Sequence, residues 1–368
     1  MKKIVIAPDS FKGTLSSLQV CEIVKQSLLE ERDDLEIIEV PIADGGEGMT
    51  VSFMCAMAGS EKVELKAKSP LGRDIDVYYA IVSGDTAVIE MAMASGITIE
   101  KQNDAMRAST YGTGQIIKHA LDKGIRKFFL GIGGSATTDG GFGCVADLGG
   151  TFLDKDGNTV ALCGQGLSDI VTVDLSELDS RIKESEITVL CDVKNPLYGK
   201  NGAAYIFGPQ KGADKNQVEL LDAGLKNLAD ISAEYLKKDF SQLEGTGAAG
   251  GLGFALVAFL GGTLKGGIDH ILDMLSFDEK VKDADLVITG EGKMDSQSLM
   301  GKLPFGVAKR CAHTRVAAIV GLNTADEKLI DELGISQVVE TNPLHLPFEQ
   351  VKATAREDLF VAAKKIII

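Results

Sequence analysis

Between Thr289 and Ala308 the chain reads TGEGKMDSQSLMGKLPFGVA, with two carboxylates, Glu291 and Asp295, set four residues apart among glycines and the lysines Lys293 and Lys302. The run Ala284-Asp285-Leu286-Val287-Ile288 before it reads as a buried strand, and Pro304 starts a helical run after it. A loop of this composition offers backbone N–H and ammonium groups to anions, and carboxylates to a metal. Phosphoryl transfer uses all three together, because its catalysis is positioning plus neutralisation of charge.

Similar loops recur. Asp9-Ser10-Phe11-Lys12-Gly13 leaves the first apolar run. Lys12 suits a phosphate or carboxylate and Ser10 is a donor, with a local Asx turn as the simpler alternative. Asp44-Gly45-Gly46-Glu47-Gly48 leaves the second run. Asp44 suits substrate hydroxyls or a metal; Glu47 suits the same or a helix N-terminus. The stretch Gly131 to Gly141, GIGGSATTDGG, contains G-x-G-x-x-A, the relaxed dinucleotide pattern. No acid ends a following strand at the distance that pattern asks for, since Asp154 and Asp156 read as a hairpin turn. Gly133, Gly134 and Ser135, with Thr137 and Thr138, fit a phosphate cradle better; close helix–strand packing is the alternative. Asp192 sits at a strand end as a candidate metal ligand or base, or as a turn acid. Phe207 to Ala213 reads as a turn from which Lys211 projects. Thr246 to Gly253 opens an apolar helix, its glycines serving a phosphate or tight packing.

Several signatures are missing. The Gly-Lys pairs at 199–200 and 301–302 are not followed by Ser or Thr, so there is no Walker A loop. His119, His270, His313 and His345 lack metal-ligand spacing, and no G-x-S-x-G occurs. A net charge of −15 argues against nucleic acid or an anionic membrane as main partner. The six cysteines form no C-x-x-C pair and read as buried free thiols of a reducing compartment. The N-terminal apolar run breaks at Asp9, so it reads as a strand and not a signal peptide. No run approaches a membrane span, and a cytoplasmic location is expected.

These loops need a scaffold that presents strand ends. The chain opens with two β–loop–α units: strand Lys3 to Ala7 with a helix from a capping box at Ser16-Ser17-Leu18-Gln19 to about Leu29, then strand Leu35 to Ile42 with helix Val51 to Ala58. Strands at 63–68, 76–82 and 86–91 form a meander. A helix at 115–122, strands at 127–130 and 187–191, and helices at 218–236 and 250–260 follow. From Ala284 the βα rhythm returns, with strands at 286–289, 316–320 and 337–340 and helices at 305–312, 326–333 and 348–365. The reading is one α/β domain, a doubly wound five-stranded parallel sheet from residues 1–64 plus 281–368. A mixed α/β domain, 65–280, interrupts it, and the active site is expected in the cleft between them, closing to exclude water.

PDSFKG (8–13), ADGGEG (43–48), SPLGR (69–73), AVIEMA (87–92), GIGGSATTDGG (131–141), CDVKNPLYG (191–199), FGPQKGA (207–213), GAAGGLG (247–253) and TGEGKMDSQSLMGK (289–302), in that order, resemble the bacterial glycerate kinase family. That family has neither Walker A nor sugar-kinase motifs. The resemblance implies a flavodoxin-like domain interrupted by a mixed α/β domain. It also implies ATP-dependent phosphorylation of D-glycerate with Mg²⁺, giving 2-phosphoglycerate, or 3-phosphoglycerate in a variant reading. On that substrate, Lys12 and Arg73 are candidates for the carboxylate and Ser10 and Asp44 for the hydroxyls. Gly133, Gly134, Ser135 and Lys293 are candidates for the ATP phosphates, and Glu291 or Asp192 for Mg²⁺. Asp295 is the candidate base. The residues alone leave two other readings, an NAD(P)-dependent oxidoreductase using Gly131 to Ala136 and a metabolite-binding regulator. A monomer or homodimer is expected.

Overall fold

A computed structural model describes residues 1–43, 46, 48–295, 303–311 and 313–368. Asp44, Gly45, Glu47 and Lys302 therefore lie outside the described residues. Contacts divide the chain into two compact units, one of Met1–Asp44, Val51–Ala58 and Gly267–Ile368, the other of Gly45–Thr50 and Gly59–Gly266. The sequence placed the boundaries at 64 and 281; the contacts put strand Glu61–Lys68 in the second unit and helices Gly267–Met274 and Phe277–Val281 in the first.

The first unit is built on a five-stranded sheet in which every neighbouring pair is parallel. Across the sheet the order is Ile335–Glu340, Arg315–Asn323, Leu286–Met294, Lys2–Pro8, Leu35–Glu39. Numbered along the unit, that is 2-1-3-4-5, the flavodoxin-like doubly wound order. Ile4, Val5, Ile6 and Ala7 are all fully buried. Successive strand residues face opposite sides, so burial of all four means both faces are covered. Ile4, Ile6, Leu286, Ile288 and Ile319 pack with Val20, Val24 and Leu28 of helix Ser17–Glu31 and with Leu359 of helix Phe348–Ala363. The first of these helices starts as its sequence predicts: Ser16 accepts from Gln19 N and the Gln19 side chain accepts from Ser16 N. That box satisfies two N–H groups the helix cannot.

The second unit has a six-stranded mixed sheet, ordered Thr263–Lys265, Glu186–Leu190, Lys127–Gly131, Thr86–Glu90, Asp74–Val82, Glu61–Lys68. The meander Glu61 to Glu90 is antiparallel, as expected, and the remaining neighbours are parallel. The pair Thr151–Leu153 and Thr172–Asp174 and the strand Thr263–Lys265 escaped the sequence reading. Three-residue strands are too short to show alternation. The helix expected from Gly250 begins at Leu252, because Ala249 (φ 53°) and Gly250 (φ 66°) are left-handed. All six cysteines are free; contrary to expectation Cys55 is exposed, while Cys21, Cys144 and Cys311 are buried.

The order 2-1-3-4-5 has a consequence for chemistry. The chain leaves the first and third strands of the unit in opposite directions, so their carboxyl ends flank a crevice. Pro8 pairs with Gly290, and Asp9 N donates to Gly290 O at 2.9 Å, so the loops after these two strands start side by side. Gly290 also permits close approach to the strand on its other side, Arg315–Asn323. A Cβ there would lie 2.3 Å from Ile319 O of the next strand, far inside any real contact. Gly290→Val is expected to destabilise the fold by roughly 3 kcal/mol, read as a lower midpoint in urea unfolding. An unchanged midpoint would show that the sheet has room at this position.

Candidate active site

Two strand-end loops of the first unit carry the residues singled out above. After Pro8 the backbone closes on itself: Phe11 N donates to Leu15 O (2.8 Å), and Thr14 donates to Phe11 O through its N (2.8 Å) and its Oγ1 (2.7 Å). Phe11 and Leu15 are each 5% exposed and anchor the turn, which leaves Lys12 exposed at its tip and Ser10 half-buried. The Asp9 side chain accepts from the next residue, Ser10 N to Asp9 Oδ1 at 2.6 Å. Leu286–Met294 runs longer than the sequence suggested and takes in Glu291 and Lys293. Glu291 is 6% exposed. Lys293 Nζ lies 3.4 Å from Asp295 Oδ2, so a cation accompanies the candidate base. The two loops meet: a Cβ on Gly292 would lie 3.4 Å from Lys12 N. Ser10, Lys12, Glu291, Lys293 and Asp295 thus share one end of one sheet.

The second unit holds the Gly131 to Gly141 loop. It follows strand Lys127–Gly131 and leads to helix Phe142–Asp147. Its backbone is stitched to neighbours by Ala136 N to Ser95 O (2.9 Å), Ile97 N to Gly134 O (2.9 Å) and Gly140 N to Gly250 O (2.9 Å). Asp139, fully buried, accepts from Thr110 N (2.7 Å), Thr110 Oγ1 (2.8 Å) and Gly141 N (3.0 Å). Burial still pushes its carboxyl above the usual range.

Lys211 is a correction. It does not project into solvent but is 1% exposed. The short turn Pro209–Lys211 ends at a left-handed Gly212 (φ 90°), which folds the lysine inward. Its Nζ donates to Ser135 Oγ at 2.7 Å and to Thr137 O at 2.6 Å. Burial lowers its pKa to about 7, against the pull of the Asp139 charge.

The other candidates stand differently. The Arg73 guanidinium faces Glu100, with Nη2 at 2.8 Å and Nε at 3.3 Å from Oε2. Burial raises the Glu100 carboxyl, but hydrogen bonds from Ser69 and Arg73 outweigh that and hold it below its usual range. The fork expected to grip a substrate carboxylate is thus already on a protein carboxylate. Asp192 follows strand Glu186–Leu190 and is exposed. Glu90 escaped notice. It is 1% exposed and accepts from Gly48 N (3.0 Å) and Thr50 N (2.6 Å), which ties the backbone at these two residues. The signal for it is a lone acid ending an otherwise apolar strand, Thr86–Glu90.

Comparison with known proteins follows the same lines. Residues 4–368 match the model of the glycerate kinase family. The chain is 40% identical to a Bacillus subtilis (strain 168) glycerate kinase, over 99% of this chain and 96% of the relative. It is 43% identical to an Escherichia coli (strain K12) glycerate 2-kinase, over 91% of this chain and 89% of that one. A solved crystal structure assigned to a glycerate kinase 2 from Salmonella typhimurium LT2 superposes with a TM-score of 0.86 at 40% identity, covering 99% of this chain and 96% of that one.

The buried lysine sets a pH dependence. The unfolded chain keeps a proton on Lys211 up to about 10.5, whereas the folded chain releases it near 7. Between those values the unfolded state binds more protons, so this group makes stability rise with pH, by at most on the order of 5 kcal/mol over the window. Below about pH 7 both states are charged and the group contributes no slope. Chemical denaturation of Lys211→Met is expected to lack this rise. An identical profile in parent and variant would mean that Lys211 is charged at neutral pH.

Proposed function

The chain belongs to the glycerate kinase family, and from that premise we propose that it transfers the γ-phosphoryl group of ATP to D-glycerate and forms 2-phospho-D-glycerate. The observation that carries this reading is the parallel pairing of Lys2–Pro8 with Leu286–Met294. It sets two lysines, a serine and two carboxylates at one topological switch point, where open α/β sheets bind ligands.

Glycerate offers one carboxylate and two hydroxyls. Lys12, exposed on a turn fixed by its own hydrogen bonds, is the cation for the carboxylate; a point charge needs no particular approach angle. Ser10 donates to a hydroxyl, and Asp44 is proposed for the second. Asp295 accepts the proton of the attacking hydroxyl, and Lys293, 3.4 Å away, balances its charge and serves the phosphate. Gly133, Gly134 and Ser135 cradle the remaining phosphates. Arg73 is a weaker candidate for the carboxylate, given its contact with Glu100.

No cluster of three or more metal-ligating side chains occurs among the described residues. Mg²⁺ takes one or two protein carboxylates and completes its shell with phosphate oxygens and water. Glu291, buried at a strand end, is the proposed ligand, with exposed Asp192 second. When bound, Mg²⁺ neutralises charge on the phosphates. Membership of a kinase family leaves the dinucleotide-dependent oxidoreductase reading without support.

A coupled ADP-release assay with Mg-ATP tests the proposal. Release is expected with D-glycerate and not with L-glycerate or without acceptor. Asp295→Asn is expected to lower turnover about 100-fold or more with an unchanged circular dichroism spectrum. Near-parental turnover removes Asp295 from the base role. Release independent of any acceptor contradicts the reading as a whole.

A further inference from the structure

Lys211 is a buried amine that makes no ion pair among the described residues. Its nitrogen donates to two neutral oxygens, Ser135 Oγ and Thr137 O. The charged group whose field reaches it is Asp139 of the same loop. The Asp139 carboxylate is itself turned to Thr110 and Gly141. An ammonium enclosed with dipoles alone disfavours the folded state, and buried charges ordinarily have a charged partner. A lysine kept there, behind a glycine-rich loop, makes physical sense when the partner arrives with a ligand.

The geometry adds to this. Ser135 and Thr137 flank Ala136, so one nitrogen bonded to both fixes the peptide planes between them. Because Ser135 Oγ accepts from Lys211, its own hydroxyl proton is available to a further acceptor such as a phosphate oxygen. Gly134, just before, is left-handed (φ 72°), which turns the chain sharply at the start of the cradle.

We infer that Lys211 is the positioning residue of the Gly131 to Gly141 loop: it holds Ser135 and Thr137 from behind and, once protonated, has the phosphate chain of the bound nucleotide as its counter-ion, so that nucleotide binding draws a proton onto the protein. This rests on the proposal that the phosphates lie on that loop. Nothing covalent happens at Lys211. A proton moves from solvent to its amine as an anion enters, and returns when the anion leaves.

Calorimetric titration of the full chain with MgADP, near pH 8 in two buffers of different ionisation enthalpy, counts that proton. Uptake approaching one proton is expected in the parent. Affinity should weaken as pH rises above about 7, by up to about tenfold per pH unit. Lys211→Met is expected to bind about tenfold more weakly near neutral pH, with no uptake beyond that of the nucleotide and a flat pH profile. Equal uptake in parent and variant, or none in the parent, overturns the proposal. If Lys211→Met does not fold, Ser135→Ala serves. It keeps the amine but removes a partner of its charged form, so the midpoint of the affinity profile must move to lower pH; an unmoved midpoint also overturns the proposal. Gly134→Val separates the two readings, since a β-branched residue resists that backbone conformation. Unchanged MgADP affinity in Gly134→Val rejects the loop as the phosphate site. Weakened affinity there, with proton uptake retained in Lys211→Met, rejects the role of Lys211 alone.

Discussion

The parallel pairing of Lys2–Pro8 with Leu286–Met294 is the interaction on which the first unit depends. Lys3 N donates to Asp285 Oδ2 across 282 residues of chain, and the five pairs from Ile4 with Leu286 to Pro8 with Gly290 follow. Closing so long a loop is costly before any contact rewards it. The return comes from burying both faces of a strand, for which Ile4, Val5, Ile6 and Ala7 supply the apolar surface. The same pairing reverses the direction of winding at one point in the sheet and thereby creates the only kind of place where two strand-end loops diverge around a ligand. Stability and chemistry in this unit follow from one choice of neighbour.

Much of this was readable in the sequence because the signals are local. A continuous apolar run needs cover on both faces, a capping box marks a helix start, and a loop of glycines with acids and lysines implies backbone approach to an anion. Ser16 with Gln19, the antiparallel meander and the parallel strand that ends at Pro8 all follow from such signals. What could not be read depends on contacts distant in sequence. Lys211 looks like any solvated turn lysine, since its burial is decided by Ser135 and Thr137, more than seventy residues earlier. Arg73 looks like a free fork until Glu100 is beside it. The start of the helix at Leu252 is set by left-handed Ala249 and Gly250, whose neighbour across a hydrogen bond is Gly140.

Charge in the second unit is arranged by burial more than by pairing. Asp139, Lys211 and Glu90 are each at most 1% exposed. Asp139 and Glu90 point their carboxylates at backbone N–H groups and thereby fix the loops that carry the glycines. Each such bond to a charged acceptor is worth about 1.5–3 kcal/mol, enough to hold a glycine-rich segment that would otherwise sample many conformations. Exposed ion pairs such as Lys66 with Asp76 contribute little by comparison.

The chemistry proposed for this chain is transfer of a phosphoryl group to the 2-hydroxyl of glycerate. The most direct measurement is the ³¹P NMR spectrum, without proton decoupling, of the product formed from D-glycerate and Mg-ATP. A phosphate on the 2-oxygen neighbours a single methine proton and gives a doublet, which is the result predicted here. A triplet, from coupling to the two methylene protons, would place the phosphate on the 3-oxygen and contradict it.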